Sequence, residues 1–111
     1  MNNLVSGAGF DGISIPGPTT QFVPPNIILH FPGATNTVLR HNITANNGFA
    51  SPGQPGNGIA NASPSTTLTA NIANSNANLG IDSVADAIDG GGNRAHGNGN
   101  PLQCTNIVCS P

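Results

Sequence analysis

The sequence predicts an all-β solenoid of about four rungs, and three observations carry that expectation: a recurring asparagine phrase, short β-branched segments set between Asn, Gly and Ser, and a near absence of charge. Asn3-Leu-Val5 leads to Gly12-Ile13, and Asn71-Ile-Ala73 leads to Gly80-Ile81, ten residues from Asn to Ile in both. A third copy, Asn42-Ile-Thr44 to Gly58-Ile59, carries about seven extra residues, Ala50 to Gly56. Repetition at intervals of roughly 20 to 30 residues marks a solenoid, in which each unit buries its apolar side only against its neighbours. The only basic residues are Arg40 and Arg94, and the only acids are Asp11, Asp82, Asp86 and Asp89. Helices of soluble proteins draw on Lys and Glu for their wet faces, so their absence argues for strands. Abundant Gly and Pro would also suit disorder, but aliphatic residues at repeating positions favour a folded chain.

The units follow in order. The first, Asn3 to Ile15, has Leu4, Val5, Phe10, Ile13 and Ile15 as its apolar set, with Ser14 between two isoleucines in the alternation of a half-buried strand. Pro16 to Ala34 does not repeat; its Pro-rich start and the apolar stretch Asn26 to Phe31 predict a loop leading into one strand that joins the stack or packs on it. The second unit runs from Thr37-Val-Leu39 through Asn42-Ile-Thr44 to Asn47-Gly48 and resumes at Gly58-Ile59. The third, Thr66 to Ile81, matches it almost position for position from Thr to Asn. The fourth, Ile88 to Ala95, departs where Gly97 to Cys104 replaces the Gly-Ile strand. Asn tolerates left-handed backbone and bonds local main chain, which suits it to the corners. Equivalent asparagines, Asn3, Asn42, Asn71 and Asn93, are also placed to bond from rung to rung as a structural ladder. Ile81, Val84, Ala85 and Ile88 sit at helical spacing, but eight residues make a marginal helix, and strand neighbours favour a strand over Ser83 to Ile88.

The phrases Asn42 to Gly48, Asn71 to Asn76, Gly80-Ile81 and Asp89 to Cys104 resemble those of right-handed parallel β-helix repeat proteins, the broad pectate-lyase-like superfamily. The resemblance covers nearly all of residues 1–111 as one β-helix repeat domain, apart from a non-repeating insertion at 16–34. It implies a fold more firmly than a function, because such folds host lyases, epimerases, hydrolases and adhesins.

A net charge of −2 leaves no basic footprint for nucleic acid and no polybasic patch for a membrane. No apolar run approaches the roughly 18 residues of a membrane span. The first phrase begins at Asn3 with no capping sequence before it. An uncapped rung exposes a strand edge, so the chain is expected to be a C-terminal fragment of a longer secreted or surface protein and to self-associate through its ends. Cys104 and Cys109 lie close together, and a disulfide between them requires Thr105 to Val108 to turn back, since five extended residues span about 16 Å. Two free or buried thiols are the alternative. A zinc site would need two more ligands, and His30, His41 and His96 have no paired spacing.

Asp82, Asp86 and Asp89, with Arg94 and His96, are the catalytic candidates. The likeness to polysaccharide lyases implies a base to remove a proton beside a uronate carboxylate and a cation to neutralise that carboxylate. Carboxylates that hold Ca²⁺ belong to that reading alone; otherwise no cofactor is expected. The plainer reading makes all five solvated corner residues. Gly7-Ala-Gly-Phe-Asp-Gly12 satisfies the GxGxxG pattern, but it runs into a strand and Pro16 instead of a helix, so it reads as a turn. Thr35-Asn-Thr37 and Thr67-Leu-Thr69 are too few for a flat ice-binding array, and the Asn42-Ile-Thr44 and Asn61-Ala-Ser63 sequons matter only in a host that glycosylates. The expected function is a structural or carbohydrate-associating module without catalysis of its own. The competing expectation is part of a polysaccharide lyase or epimerase acting on uronate-containing glycans.

Overall fold

The computed structural model describes residues 1–24, 27–31, 33–49 and 56–111, and among them every regular element is a strand. Three parallel sheets share the work. The first orders β1 (Leu4–Ser6), β6 (Ile43–Ala45), β9 (Ile72–Asn74) and β12 (Arg94–His96). The second orders β2 (Ile13–Ile15), β7 (Ile59–Asn61), β10 (Ile81–Ser83) and β13 (Cys104–Thr105). The third orders β5 (Val38–Arg40), β8 (Thr67–Thr69) and β11 (Ile88–Gly91). From β5 onward the chain visits the three sheets in the same order on each pass, so successive passes stack in a manner compatible with a β-helix.

The register shows what the insertions hide. Equivalent asparagines are 39, 29 and 22 residues apart along the chain. The coil closes in 22 residues, as Asn71 to Asn93 does, and the longer steps carry excursions at its corners. Of the surface loop expected at Ala50 to Gly56, residues 50–55 lie outside the described residues, as does Asn26.

The insertion at 16–34 differs from expectation. It holds two strands, β3 (Thr19–Val23) and β4 (Ile27–Phe31), paired with each other in antiparallel register and with no parallel sheet. Each supplies the other's main-chain partners, so neither needs a place in the stack. Its base is pinned where Ala34 N donates to Pro16 O at 3.0 Å. Ser83 to Ile88 is also not one strand: β10 ends at Ser83, residues 84–87 turn with Ala87 N donating to Val84 O at 3.2 Å, and β11 starts at Ile88. Four residues must carry the chain from one sheet to the next, which leaves room for neither a helix nor a continuous strand.

Corners are built differently from the expectation as well. Left-handed φ falls on Asn2, His41, Ala70 and Gly92, the residues immediately before the ladder asparagines. That bend turns the following Asn inward. A second set of bends, Gly7, Asn46, Ser75 and Gly97, precedes Ala8, Asn47, Asn76 and Asn98.

The core is slim. Leu39 and Leu68 fill it from one side, Ile59 and Ile81 from another, and Ala73 and Ala95 from the third, where small residues leave room for the amides beside them. Ile13 and Cys104 extend the isoleucine column to its two ends, and Ile15, in register with Asn61, packs beside it. Gly12, Gly58 and Gly80 are required by the inner asparagines: a Cβ there would lie 2.7, 2.7 and 2.8 Å from the Nδ2 of Asn47, Asn76 and Asn98.

Two outcomes test this packing. Asn71→Ala strands the Asn42 N–H and Nδ2, and removes the side-chain donor from Leu39 O and one of the two donors from Asn93 Oδ1; it is expected to lower unfolding free energy by about 3 to 5 kcal/mol in urea titrations. The Thr44 hydroxyl is buried without a hydrogen-bond partner among the described residues, and Val5 holds the equivalent place one coil earlier. Thr44→Val is therefore expected to raise stability, by about 1 kcal/mol in the same titration.

Candidate functional site

Two chains of amides run along the stack, each built from the residue after a left-handed bend. In the first, Asn3 Nδ2 donates to Asn42 Oδ1 at 3.0 Å, Asn42 Nδ2 to Asn71 Oδ1 at 3.1 Å, and Asn71 Nδ2 to Asn93 Oδ1 at 3.1 Å. The second joins Asn47 to Asn76 at 2.9 Å, Asn76 to Asn98 at 3.0 Å, and Asn98 to Gln103 Oε1 at 2.8 Å. In each, the same Oδ1 also accepts the main-chain N–H of the earlier coil, as from Asn42 N to Asn71 at 3.0 Å and from Asn76 N to Asn98 at 2.8 Å. The spare Nδ2 hydrogen goes to a carbonyl of that coil, Leu39 O for Asn71 and Leu68 O for Asn93, both at 3.0 Å. The second chain escapes a reading based on the Asn-to-Ile distance. The signal that finds it is the constant step of five residues from Asn42 to Asn47, Asn71 to Asn76 and Asn93 to Asn98, which no insertion interrupts.

The catalytic candidates do not share one surface. Asp82 points outward from β10, Asp86 lies in the corner after it, Asp89 belongs to β11, and Arg94 and His96 point outward from β12. Several already have structural partners. Asp82 Oδ1 accepts from Thr105 Oγ1 at 2.6 Å. Asp89 stands in register with Leu39 and Leu68 at the end of their column. Its Oδ1 accepts from Gly91 N at 2.9 Å and Asn93 Nδ2 at 3.2 Å, and its Oδ2 accepts from Val108 N at 2.8 Å. Arg94 donates through Nε and Nη2 to the main-chain oxygen of Pro111 at 3.3 and 3.1 Å. Among the described residues no three His, Cys, Asp or Glu side chains gather closely enough to hold a metal ion.

A concave surface lies on the outer face of the second sheet. The cleft is about 290 Å³. Ser14, Ala60 and Asp82 form one lining row, in register across three strands, and Pro16, Ala62 and Val84 form the row beyond it. Its small side chains present mostly apolar and hydroxyl surface, with Asp82 as the lone ionisable group. One carboxylate, already bonded to Thr105, supplies no acid–base pair. The volume is at the low end for small-molecule sites, which run from about 300 Å³ upward.

The end of the stack after β12 is closed. Cys104 and Cys109 form a disulfide with Cα atoms 6.2 Å apart. Between them Ile107 is buried against the core, and Ser110 then pairs with Arg94, its N–H donating to Asn93 O at 3.0 Å and its carbonyl accepting from Ala95 N at 2.9 Å. Asp89 and Gln103 supply the acceptor oxygens that an asparagine of a further coil would otherwise provide.

Comparison of the chain with protein-family models, with curated proteins and with solved structures finds no match in any of the three.

Reduction of Cys104–Cys109 releases a short loop and is expected to lower stability by about 2 kcal/mol, read as a drop in melting temperature on adding dithiothreitol. Asp89→Ala is expected to speed hydrogen exchange at the Val108 amide by about tenfold while amides of β7 and β10 keep their protection.

Proposed function

We propose that this chain is a module of the right-handed parallel β-helix kind, similar to the pectate-lyase-like superfamily, that serves a structural or carbohydrate-associating role without catalysis of its own. The hand follows from general chirality: each return to the same sheet is a parallel crossover, and such crossovers are right-handed in about 98% of cases. The observation that carries the functional reading is the dispersal of the candidate groups. Asp82, Asp89 and the pair Arg94 and His96 occupy three different sheets, and Asp89 is held by three main-chain and side-chain donors. Proton abstraction beside a carboxylate needs base and cation at one point of the substrate, which that arrangement does not offer. The outer face of β2, β7 and β10, with its shallow cleft, is the surface suited to a glycan chain. A disulfide at the end of the stack fits an oxidising compartment and hence a secreted or cell-surface location.

The test is a panel of uronate polymers, followed by the absorbance of unsaturated product with and without Ca²⁺, alongside glycan binding by calorimetry. The expected outcome is no turnover, with any binding weakened by Ala60→Arg, which fills the cleft. Turnover abolished by Asp82→Ala or Asp89→Ala in a variant that stays folded would instead assign the chain to a polysaccharide lyase or epimerase.

A further inference from the structure

The amide chains have a direction, and that direction makes the two ends of the stack unlike. At every step the earlier coil donates and the later coil accepts: Asn42 N and Nδ2 to Asn71 Oδ1, then Asn71 N and Nδ2 to Asn93 Oδ1. Main-chain bonds beside the ladder run the other way, with Ile43 N donating to Asn3 O at 2.7 Å, Ile72 N to Asn42 O at 2.8 Å, and Arg94 N to Asn71 O at 2.8 Å. A stack built so ends in donors on one side and in an acceptor with an adjacent N–H on the other.

At the donor end three of the four ladder donors are satisfied, and only the Asn93 main-chain N–H has no acceptor among the described residues. Asn98 N and Nδ2 both reach Gln103 Oε1, Asn93 Nδ2 reaches Asp89 Oδ1, and Ile107 closes the core. Among the described residues the other end has no such closure. Among the described residues Asn3 Oδ1 accepts no hydrogen bond, whereas each of its three counterparts accepts two. β1, β2 and β5 are the terminal strands of their sheets on that side, and Leu4 and Met1 beside them are 71% and 67% exposed.

We propose that this edge of β1, β2 and β5 is an interaction surface for a parallel β coil that carries an asparagine in register with Asn3. Asn3 Oδ1 and Leu4 N–H repeat the acceptor and donor pair that Asn42 with Ile43, and Asn71 with Ile72, present to the asparagine before them. A strand with a residue other than Asn or Gln at that place supplies the carbonyl but no side-chain amide, and Gln places its amide one bond further out. Ala8 ends the second amide chain, so the incoming coil is held by the first chain and by the three strand edges. A second copy of this chain does not fit: its own donor end is closed by residues 103–110, and edge against edge would set one Asn3 acceptor against another.

A 22-residue unit, Asn71 to Gly92, has the length and strand order to supply partners for β1, β2 and β5 in turn, and Gly92 shares with Asn2 the left-handed φ needed at the junction, 71° against 58°. The experiment replaces Met1 and Asn2 with a copy of residues 70–92 joined directly to Asn3. The extended chain is expected to melt at a higher temperature, with exchange at the Leu4 and Ser6 amides slowed by at least about tenfold. Asn71→Ala within the added copy alone is expected to reverse most of that protection. An extension whose amides exchange freely while the rest is unchanged would overturn the proposal. So would equal protection with and without the added asparagine, since recognition would then be by strand edge alone. Sedimentation of the unextended chain supplies a separate readout: a discrete dimer that Leu4→Lys dissociates would make the occupant a second copy and overturn the assignment.

Discussion

A buried primary amide at each corner is what the stack depends on. Where a coil turns between sheets, the strand ladder lapses and main-chain N–H and C=O groups would go unpaired inside the protein. An asparagine side chain offers two donors and an acceptor oxygen with two lone pairs, on a stem short enough to stay within one coil spacing. Asn71 uses all of this capacity, accepting from Asn42 N and Nδ2 and donating to Asn93 Oδ1 and Leu39 O. Aspartate would set oxygen against oxygen along the column, and leucine would leave Asn42 N and Nδ2 without their acceptor. The burial of Asn42, Asn47, Asn71, Asn76, Asn93 and Asn98 beside so few large aliphatic residues is intelligible on this basis.

The same requirement shapes the rest of the interior. An amide column lies beside the small residues Ala73 and Ala95 and against the glycines Gly58 and Gly80, whose lack of a side chain admits Asn76 and Asn98. Packing by large apolar side chains is thereby carried mainly by the isoleucine and leucine columns, with Ile107 at one end. Stability is shared between those columns, the parallel ladders and the amides, and none of them suffices alone in a chain of this size. Because the interior is occupied in this way, outward positions such as Asp82, Arg94 and His96 are free of core packing and form the surfaces on which partners can be met.

Directionality follows from the amide as well. A column in which each residue gives hydrogens forward has two ends of different chemistry. At one end Asp89 and Gln103 satisfy three of the four ladder donors, and the Cys104–Cys109 loop covers the core. At the other, β1 is the last strand of its sheet among the described residues, and Asn3 Oδ1 accepts no hydrogen bond there. Binding across such an edge would be selective by residue type, which ordinary strand addition is not.

Asn3, Asn42, Asn71 and Asn93, the Gly-Ile pairs and the short aliphatic triplets could be read from the sequence, because short-range repetition survives insertion. The all-β class and the positions of most strands follow from them. The 22-residue period was obscured, since steps of 39 and 29 residues along the chain are 22 only after their excursions are removed. Which residue of each corner takes the left-handed bend was not legible, because Asn2, His41, Ala70 and Gly92 have no side-chain chemistry in common. Nor was the pairing of β3 with β4, which depends on where the chain doubles back rather than on the alternation of either strand. The candidate site was the least legible: Asp82, Asp89 and Arg94 are neighbours in sequence but fall on three sheets, because the coil turns a corner about every ten residues or fewer and only stacking decides which groups share a face. The repeating asparagines thus determine by themselves that this chain coils. The tertiary structure alone decides which amide answers which, because a hydrogen bond between coils joins residues that sequence distance keeps apart.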